Sequence, residues 1–467
     1  MKKYIALSLF LFAAVSCQNF LDIKPHEEVI PSTAEEFSAL LHTYLDNMDN
    51  GSQDYPIPST SGVTYYDQIA DNLEVALSSS RSILSSYPGE MYGGTGSKST
   101  TIYSNFYSLI RDCNIIFGEM TDRESDMARD VLGTAYALRG ISYYELLRRF
   151  CPPVDPVRDD QPGLQLVATF DMEARPLRSS MQETIEFIED DLLKALSYNV
   201  QTPVYRFTAP VVKGYLARFY FWTHQWEKAI EWADEVMAEY PLLDREGYRA
   251  MMTPSYTPKG NMIVKSEILS SSSTDESAGQ YSPLNERPLS IRFLNTFTDK
   301  EKADDIRYEM GVSRRRLATK FIFSGMRSAE MLLIRAESHY HLGHKQEALD
   351  DINNLRSRRI KDYTPLTMET LPEPLLDGYI SVDANGNELT PLIAMILTER
   401  RKELLLEGDR FFELKRNGCP EFWVPIKSTG QKYVTYSFMY TYPIPEKDVE
   451  ILPGLQQNEG YEKYLTR

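Results

Sequence analysis

The chain has 467 residues, enough for two or three ordinary domains or one elongated repeat array, and far too many for a small stapled scaffold. With 42% hydrophobic and 25% charged residues it has the composition of a globular protein, which sets aside disordered, fibrous and multi-span membrane classes. Its 67 Asp and Glu against 50 Lys and Arg give a net charge of -17 with no basic block to offset it, so phosphate backbones are repelled and nucleic acid is not an expected partner. Among the aromatics, 30 Tyr and 20 Phe outnumber 4 Trp, a choice that favours rings carrying a hydroxyl.

The first residues read as an address. Lys2 and Lys3 precede a largely apolar run of twelve residues, Tyr4 to Val15, and the small Ser16 stands directly before Cys17. Twelve residues at about 1.5 Å each reach about 18 Å, well short of a hydrocarbon core of roughly 30 Å. The pattern predicts a cleaved lipoprotein signal over residues 1–16 with lipid on Cys17; plain cleavage with Cys17 as a bystander is the alternative. Cleavage there removes two lysines, leaving 48 Lys and Arg against 67 Asp and Glu, a balance of -19.

Apolar residues spaced three and four apart then predict amphipathic helices over 34–48, 102–120, 128–149, 181–198, 210–224, 226–239, 329–342, 345–359 and 392–415. Strand signals are few. Leu216, Ala217, Tyr220, Ala229, Val236 and Pro241 in one segment match Leu332, Ala336, Tyr340, Gly343, Ala348 and Leu355 in another, the pattern of tetratricopeptide helix pairs. A third pair begins at Ala137, Gly140 and Tyr143, its helices separated by an insert rich in Pro and Asp. The expected architecture is mostly α: a tetratricopeptide-like helical-repeat scaffold in a single domain over 17–467. Its repeats occupy about 102–240 and 329–416, with loop-rich inserts near 49–101, 151–180, 253–292 and 362–387 and another irregular stretch near 417–442. Inserts this long, thick with Tyr, Ser, Gly and Asn, describe binding loops on a rigid body.

Several motifs tempt a chemical reading. Glu399, Glu403 and Glu407 recur every four residues on one helical face, as paired glycosidase carboxylates would, but Arg400, Arg401, Lys402 and Arg410 stand at ion-pair spacing and favour a helix tied down by charge. His339, His341 and His344 place only one pair on a shared face, so no metal is expected. The run Gly93-Gly94-Thr95-Gly96-Ser97-Lys98 lacks P-loop spacing and reads as a flexible loop tip. Cys113, Cys151 and Cys419 form no CxxC pair and read as packing residues. No cofactor and no catalytic group is expected.

Four ordered stretches carry a family resemblance. Cys17-Gln18-Asn19-Phe20-Leu21-Asp22 with Pro25 comes first, then Ala137-Leu138-Arg139-Gly140 with Tyr143-Tyr144 and Leu147-Arg148-Arg149-Phe150 before Pro152-Pro153. Glu399-Arg400-Arg401-Lys402-Glu403-Leu404 runs into Glu407-Gly408-Asp409-Arg410-Phe411-Phe412-Glu413-Leu414-Lys415-Arg416, and the chain closes with Pro443-Ile444-Pro445, Gln457-Asn458 and Gly460-Tyr461. Together they resemble the SusD/RagB family of outer-membrane nutrient-binding lipoproteins. The resemblance implies a capture module that is lipid-anchored through Cys17, exposed at the cell surface and seated as a lid on a SusC-like TonB-dependent transporter, taking oligosaccharide or, as in some members, peptide. It transfers no ligand residue by motif.

A sugar ring offers apolar C–H faces and hydroxyls, so its receptor needs flat aromatic rings rimmed by carboxylates and amides, and tyrosine supplies both functions. If the loops converge as the family architecture implies, the ligand candidates are Tyr65, Tyr66, Asp67, Asn72, Tyr87, Tyr92 and Tyr281. Trp222, Trp226 and Trp232 fall inside a helix pair and read as core, leaving Trp423 alone outside it and departing from the usual glycan-binding pattern. Two other classes stay open: a secreted glycoside hydrolase using the Glu403 face, and a scaffold whose repeats bind only protein.

Overall fold

The computed structural model describes residues 31–49, 56–74, 98–253, 268–271, 284, 287–322, 324–375, 378–425 and 432–461. Sixteen α-helices lie in these segments: α1 Ala34–Asp49, α2 Thr60–Gln68, α3 Lys98–Glu119, α4 Asp126–Phe150, α5 Met181–Tyr198, α6 Ala209–Trp222, α7 Trp226–Glu239, α8 Arg245–Met251, α9 Ile291–Leu294, α10 Asp299–Asp304, α11 Ile306–Gly311, α12 Ser328–His341, α13 Lys345–Ser357, α14 Pro391–Glu403, α15 Arg410–Arg416 and α16 Glu446–Ile451. Three two-stranded antiparallel ribbons accompany them: β1 Pro162–Gln165 with β2 Arg178–Ser180, β3 Ile268–Ser271 with β4 Gly325–Arg327, and β5 Phe422–Pro425 with β6 Lys432–Thr435.

Helix boundaries follow local chemistry. Ser125 caps α4 by accepting from the Ala128 amide, and Ser180 with Glu183 closes a capping box on α5. Pro210 and Pro391 sit in the first turns of α6 and α14, where a missing amide hydrogen costs nothing. At the far end of α5, Asn199 enters the left-handed region at φ 49°.

The repeat pairing is as expected from the small and aromatic positions. α4 packs on α5, α6 on α7 and α12 on α13, while α12 also packs on α7 and so joins the two repeat blocks across the long insert between them. Leu216, Ala217, Tyr220, Ala229, Val236, Leu332, Ala336, Ala348 and Leu355 are all buried. Gly140 brings α4 against α5 so closely that an added Cβ would stand 3.0 Å from Asp191 and 3.1 Å from Leu192.

Three expectations need correction. Residues 60–68 and 245–251, expected to be irregular or left unassigned, are helices. Their capping residues are Ser59 and Asp244, each accepting from an amide three residues on, a signal too short to register as periodicity. The predicted helix over 392–415 is two helices, because the chain turns between Glu403 and Arg410 with Leu406 at φ 59° and Gly408 at φ 75°. Gly408 lies against the backbone of Val63, so the turn is held from outside the helix.

The charged face of α14 is buried. Glu403 is fully enclosed, its carboxylate accepting from Arg359 at 3.0 to 3.2 Å, from Arg327 Nη1 at 3.0 Å and from Arg307 Nη1 at 3.4 Å. Burial by itself would raise this carboxyl; the Arg359, Arg327 and Arg307 guanidiniums overcome it and hold it well below the usual range. Glu399 pairs with Arg307, Arg356 and Lys402, and Glu407 with Lys320 and Arg327. The ion-paired reading therefore holds, but its partners differ. Of the neighbours expected to clamp these carboxylates only Lys402 does so; Arg400 pairs with Asp409, and Arg401 and Arg410 reach Asp71.

A polar cleft beside the α14–α15 turn

A cleft opens where Pro56, Ile57 and Pro58 meet the end of α4, the middle of α6 and the turn after α14, with about 640 Å³ of space out to and including its open mouth. Tyr66 and Phe412 form its aromatic walls. Arg148 and Arg149 reach it from the last turn of α4, where positive charge suits the helix dipole. Arg218 comes from the largely apolar α6 and Glu330 from the first turn of α12.

Its polar groups are held in pairs. Arg148 Nη2 donates to both oxygens of Glu145 at 2.6 and 2.8 Å, and Arg149 pairs with the same carboxylate. Burial pushes the Glu145 carboxyl up, and the two arginines reverse this and bring it down to about 2. Arg218 grips Glu330 with two hydrogen bonds of 2.8 and 2.5 Å, and Arg400 does the same to Asp409 at 2.9 and 2.5 Å. The Arg148 guanidinium lies 4.1 Å from the Phe412 ring centroid, and its buried Nε has no hydrogen-bond partner among the described residues. A general acid needs a carboxyl that keeps its proton. Here every carboxylate of the cleft is already paired with arginine or lysine, so the arrangement offers fixed donors and acceptors rather than a reacting group.

The sequence-derived ligand candidates divide sharply. Asp67 is fully buried, accepting from Asn72 Nδ2 at 3.1 Å, the Leu406 amide at 3.3 Å and the Gly408 amide at 3.2 Å. Burial pushes its carboxyl up to about 6 against those hydrogen bonds and the charge of Lys320. Asn72 is buried too, its Oδ1 accepting from Arg401 Nε at 2.8 Å. The Tyr66 hydroxyl accepts from Arg149 Nε at 2.7 Å, and its ring packs on Phe411 and Phe412. Tyr65 is buried with the Lys98 ammonium 4.0 Å from its ring centroid. Asp67 and Asn72 thus tie the chain at and just after α2 to α14 and the α14–α15 turn, and Tyr66 ties it to α4, so these polar atoms are engaged by the protein itself; of the four, Tyr66 borders the cleft. Tyr87, Tyr92, Tyr281 and Cys17 lie outside the described residues.

Other motifs resolve as packing. His341 stacks on Trp226 at 4.4 Å with Nε2 3.8 Å from Glu337, while His339 and His344 meet through Nδ1 atoms 3.3 Å apart. Among the described residues no group of three or more His, Cys, Asp or Glu is placed to hold a metal. Cys113 and Cys151 are buried free thiols, and Cys419 is a half-buried one. Trp222 and Trp226 are buried and Trp232 packs against the core, whereas Trp423 is 50% exposed. The cleft residues Arg218 and Glu330 were missed as site residues, although each interrupts an apolar helical stretch, a pattern that marks a charge with a buried partner.

Comparison with known proteins matches two family profiles to this chain: one described as the SusD family over residues 234–461, the other as starch-binding associating with outer membrane over residues 19–221. A SusD-like protein P38 of Formosa agariphila is 23% identical, the alignment covering 77% of this chain and 79% of the relative. A SusD superfamily protein from Bacteroides thetaiotaomicron superposes with TM-score 0.66 at 20% identity, covering 91% of this chain and 99% of its own. A putative sugar binding protein from Bacteroides vulgatus gives 0.66 at 20% identity, covering 93% and 100%, and a SusD superfamily protein of that species gives 0.68 at 18%, covering 92% and 100%.

Proposed function

We propose, on the premise that this chain belongs to the SusD/RagB family, that it is a nutrient-capture lipoprotein which binds oligosaccharide at the cell surface and passes it to a SusC-like TonB-dependent outer-membrane transporter. The observation that carries this reading is the pair of family profiles, which between them account for residues 19–221 and 234–461 and describe starch binding and outer-membrane association. The cleft supports capture without turnover, because its carboxylates are ion-paired. No described helix is long and apolar enough to cross a membrane. Attachment is assigned to lipid on Cys17, and Tyr87, Tyr92 and Tyr281 remain the proposed loop contacts to ligand. Stacking and neutral hydrogen bonds in a wet groove give modest affinity, which suits a protein that must release what it holds.

Affinity electrophoresis of the mature protein through gels containing a panel of polysaccharides, alongside calorimetry with peptides, tests the reading. Retardation by at least one polysaccharide in the high micromolar range is expected, with no release of reducing ends. Binding of peptides alone moves the protein to the peptide-taking branch, and release of reducing ends makes it a hydrolase. In cells, Cys17→Ala is expected to shift the protein from the membrane fraction to the soluble one.

A further inference from the structure

We propose that the outward face of the β5–β6 ribbon is a second ligand subsite, a stacking platform for the sugar rings of a neutral glycan, built on Trp423 and Tyr436; this rests on the glycan-capture reading above. The register pairs Phe422 with Thr435 and Trp423 with Val434. Phe422 and Thr435 are buried, so the alternation of a strand sends Trp423 and Val434 to the other side, and Glu421 and the extended Tyr436, each one residue beyond the paired segment, are exposed next to them. Trp423 is 50% and Tyr436 41% exposed there, and as diagonal neighbours across the ribbon they stand roughly 7–8 Å apart at the backbone, within reach of two aromatic side chains.

The platform is backed. The Tyr436 ring lies within 9° of parallel to Phe438 at 6.0 Å, and Phe438 meets Tyr461 edge-on at 5.2 Å. Gly460 makes room for this stack: a Cβ there would fall 2.5 Å from the Phe438 ring. Glu421, exposed on the same face, accepts from the Ser437 amide through Oε1 at 3.2 Å, which fixes a carboxylate beside the rings.

Area and charge select the occupant. Two half-exposed rings offer on the order of 200 Å², far below the ~800 Å² per partner that a specific protein interface needs. They match instead the apolar C–H faces of one or two sugar units, with a hydroxyl donating to Glu421. That carboxylate, on a chain of net charge -17, disfavours uronate or sulfated chains. The glycan is therefore neutral.

The test uses the whole mature protein in affinity gels containing neutral glucans and mannans or anionic pectin and alginate. Trp423→Ala is expected to weaken retardation by neutral polysaccharide about tenfold and Tyr436→Ala about fivefold, each with an unchanged melting temperature. Since Trp222 and Trp226 are buried and Trp232 is partly buried, the iodide quenching that wild type shows beyond Trp423→Ala reads Trp423 and should fall when the neutral glycan is added. A wild type that is retarded and a Trp423→Ala variant retarded equally would overturn the platform while leaving capture intact. If the wild type ignores every polysaccharide, capture and platform fall together. Intact glycan binding with loss of co-purification of an outer-membrane protein would make the patch a protein contact and overturn the proposal.

Discussion

The two halves of the helical body solve the same packing problem by different means. In α4 to α7 the interior is mainly apolar and aromatic, with Tyr143, Tyr215, Phe219 and Tyr220 buried at the helix seams and the Tyr220 hydroxyl donating to Glu189 at 2.7 Å, and its buried charges stand in small separate groups, Arg139 with Asp191 and Glu145 with Arg148 and Arg149. Around α12 to α15 the interior is ionic: Arg307, Arg327, Arg356 and Arg359 converge on Glu399 and Glu403 with almost no exposure. Apolar packing tolerates small adjustments in helix position, whereas forked guanidiniums bond only in fixed directions. The ionic half is also the half that must hold an abrupt turn at residues 404–409, beside which the cleft opens.

The contrast can be broken most severely at Glu403. Glu403→Gln leaves three buried arginines short of a countercharge and is expected to cost about 3–5 kcal/mol in urea unfolding; a loss below about 1 kcal/mol would show that the ion pairs do not hold this half together. On the aromatic side, Leu216→Ala in the fully buried seam of α6 should cost about 3 kcal/mol through lost burial and a residual cavity. That loss should be the same at low and high salt, since no charge is involved.

Asp67 sharpens the comparison through pH. Its folded carboxyl titrates near 6, above the unfolded value near 3.9, so the native state binds the proton more tightly and Asp67 destabilises the fold once ionised. Stability contributed at this site is expected to fall as pH rises from about 4 to about 6, by up to about 3 kcal/mol. Measured as wild type minus Asp67→Asn, the difference in unfolding free energy should move in favour of wild type on going from pH 7 to pH 4. A flat difference would place the titration elsewhere.

Much of the repeat scaffold was legible because helix pairs leave local marks. Ala217, Ala229, Ala336 and Ala348 sit where neighbouring helices approach, and the three-and-four spacing around them needs no knowledge of distant residues. The α14–α15 break was not legible. Its local pattern is continuously helical, and the turn is held by Asp67, Lys320 and Arg327, which lie 76 or more positions from the groups they bond. The burial of four ligand candidates was not legible for a related reason. Tyr65, Tyr66, Asp67 and Asn72 have the composition of a sugar-binding rim, but composition does not say whether a polar atom is spent on the protein or offered to solvent.

The sequence by itself determined the helical class, the repeat pairs, the ionic character of the Glu399 to Glu407 face and the core role of Trp222 and Trp226, because periodicity and residue chemistry act over one or two turns. Tertiary structure alone decided which arginines clamp those glutamates, that Tyr65, Tyr66, Asp67 and Asn72 are buried, and that Trp423 and Tyr436 are exposed. Those facts depend on which distant segments fill the space around a side chain, and burial and directional hydrogen bonds are settled only when the helices are docked.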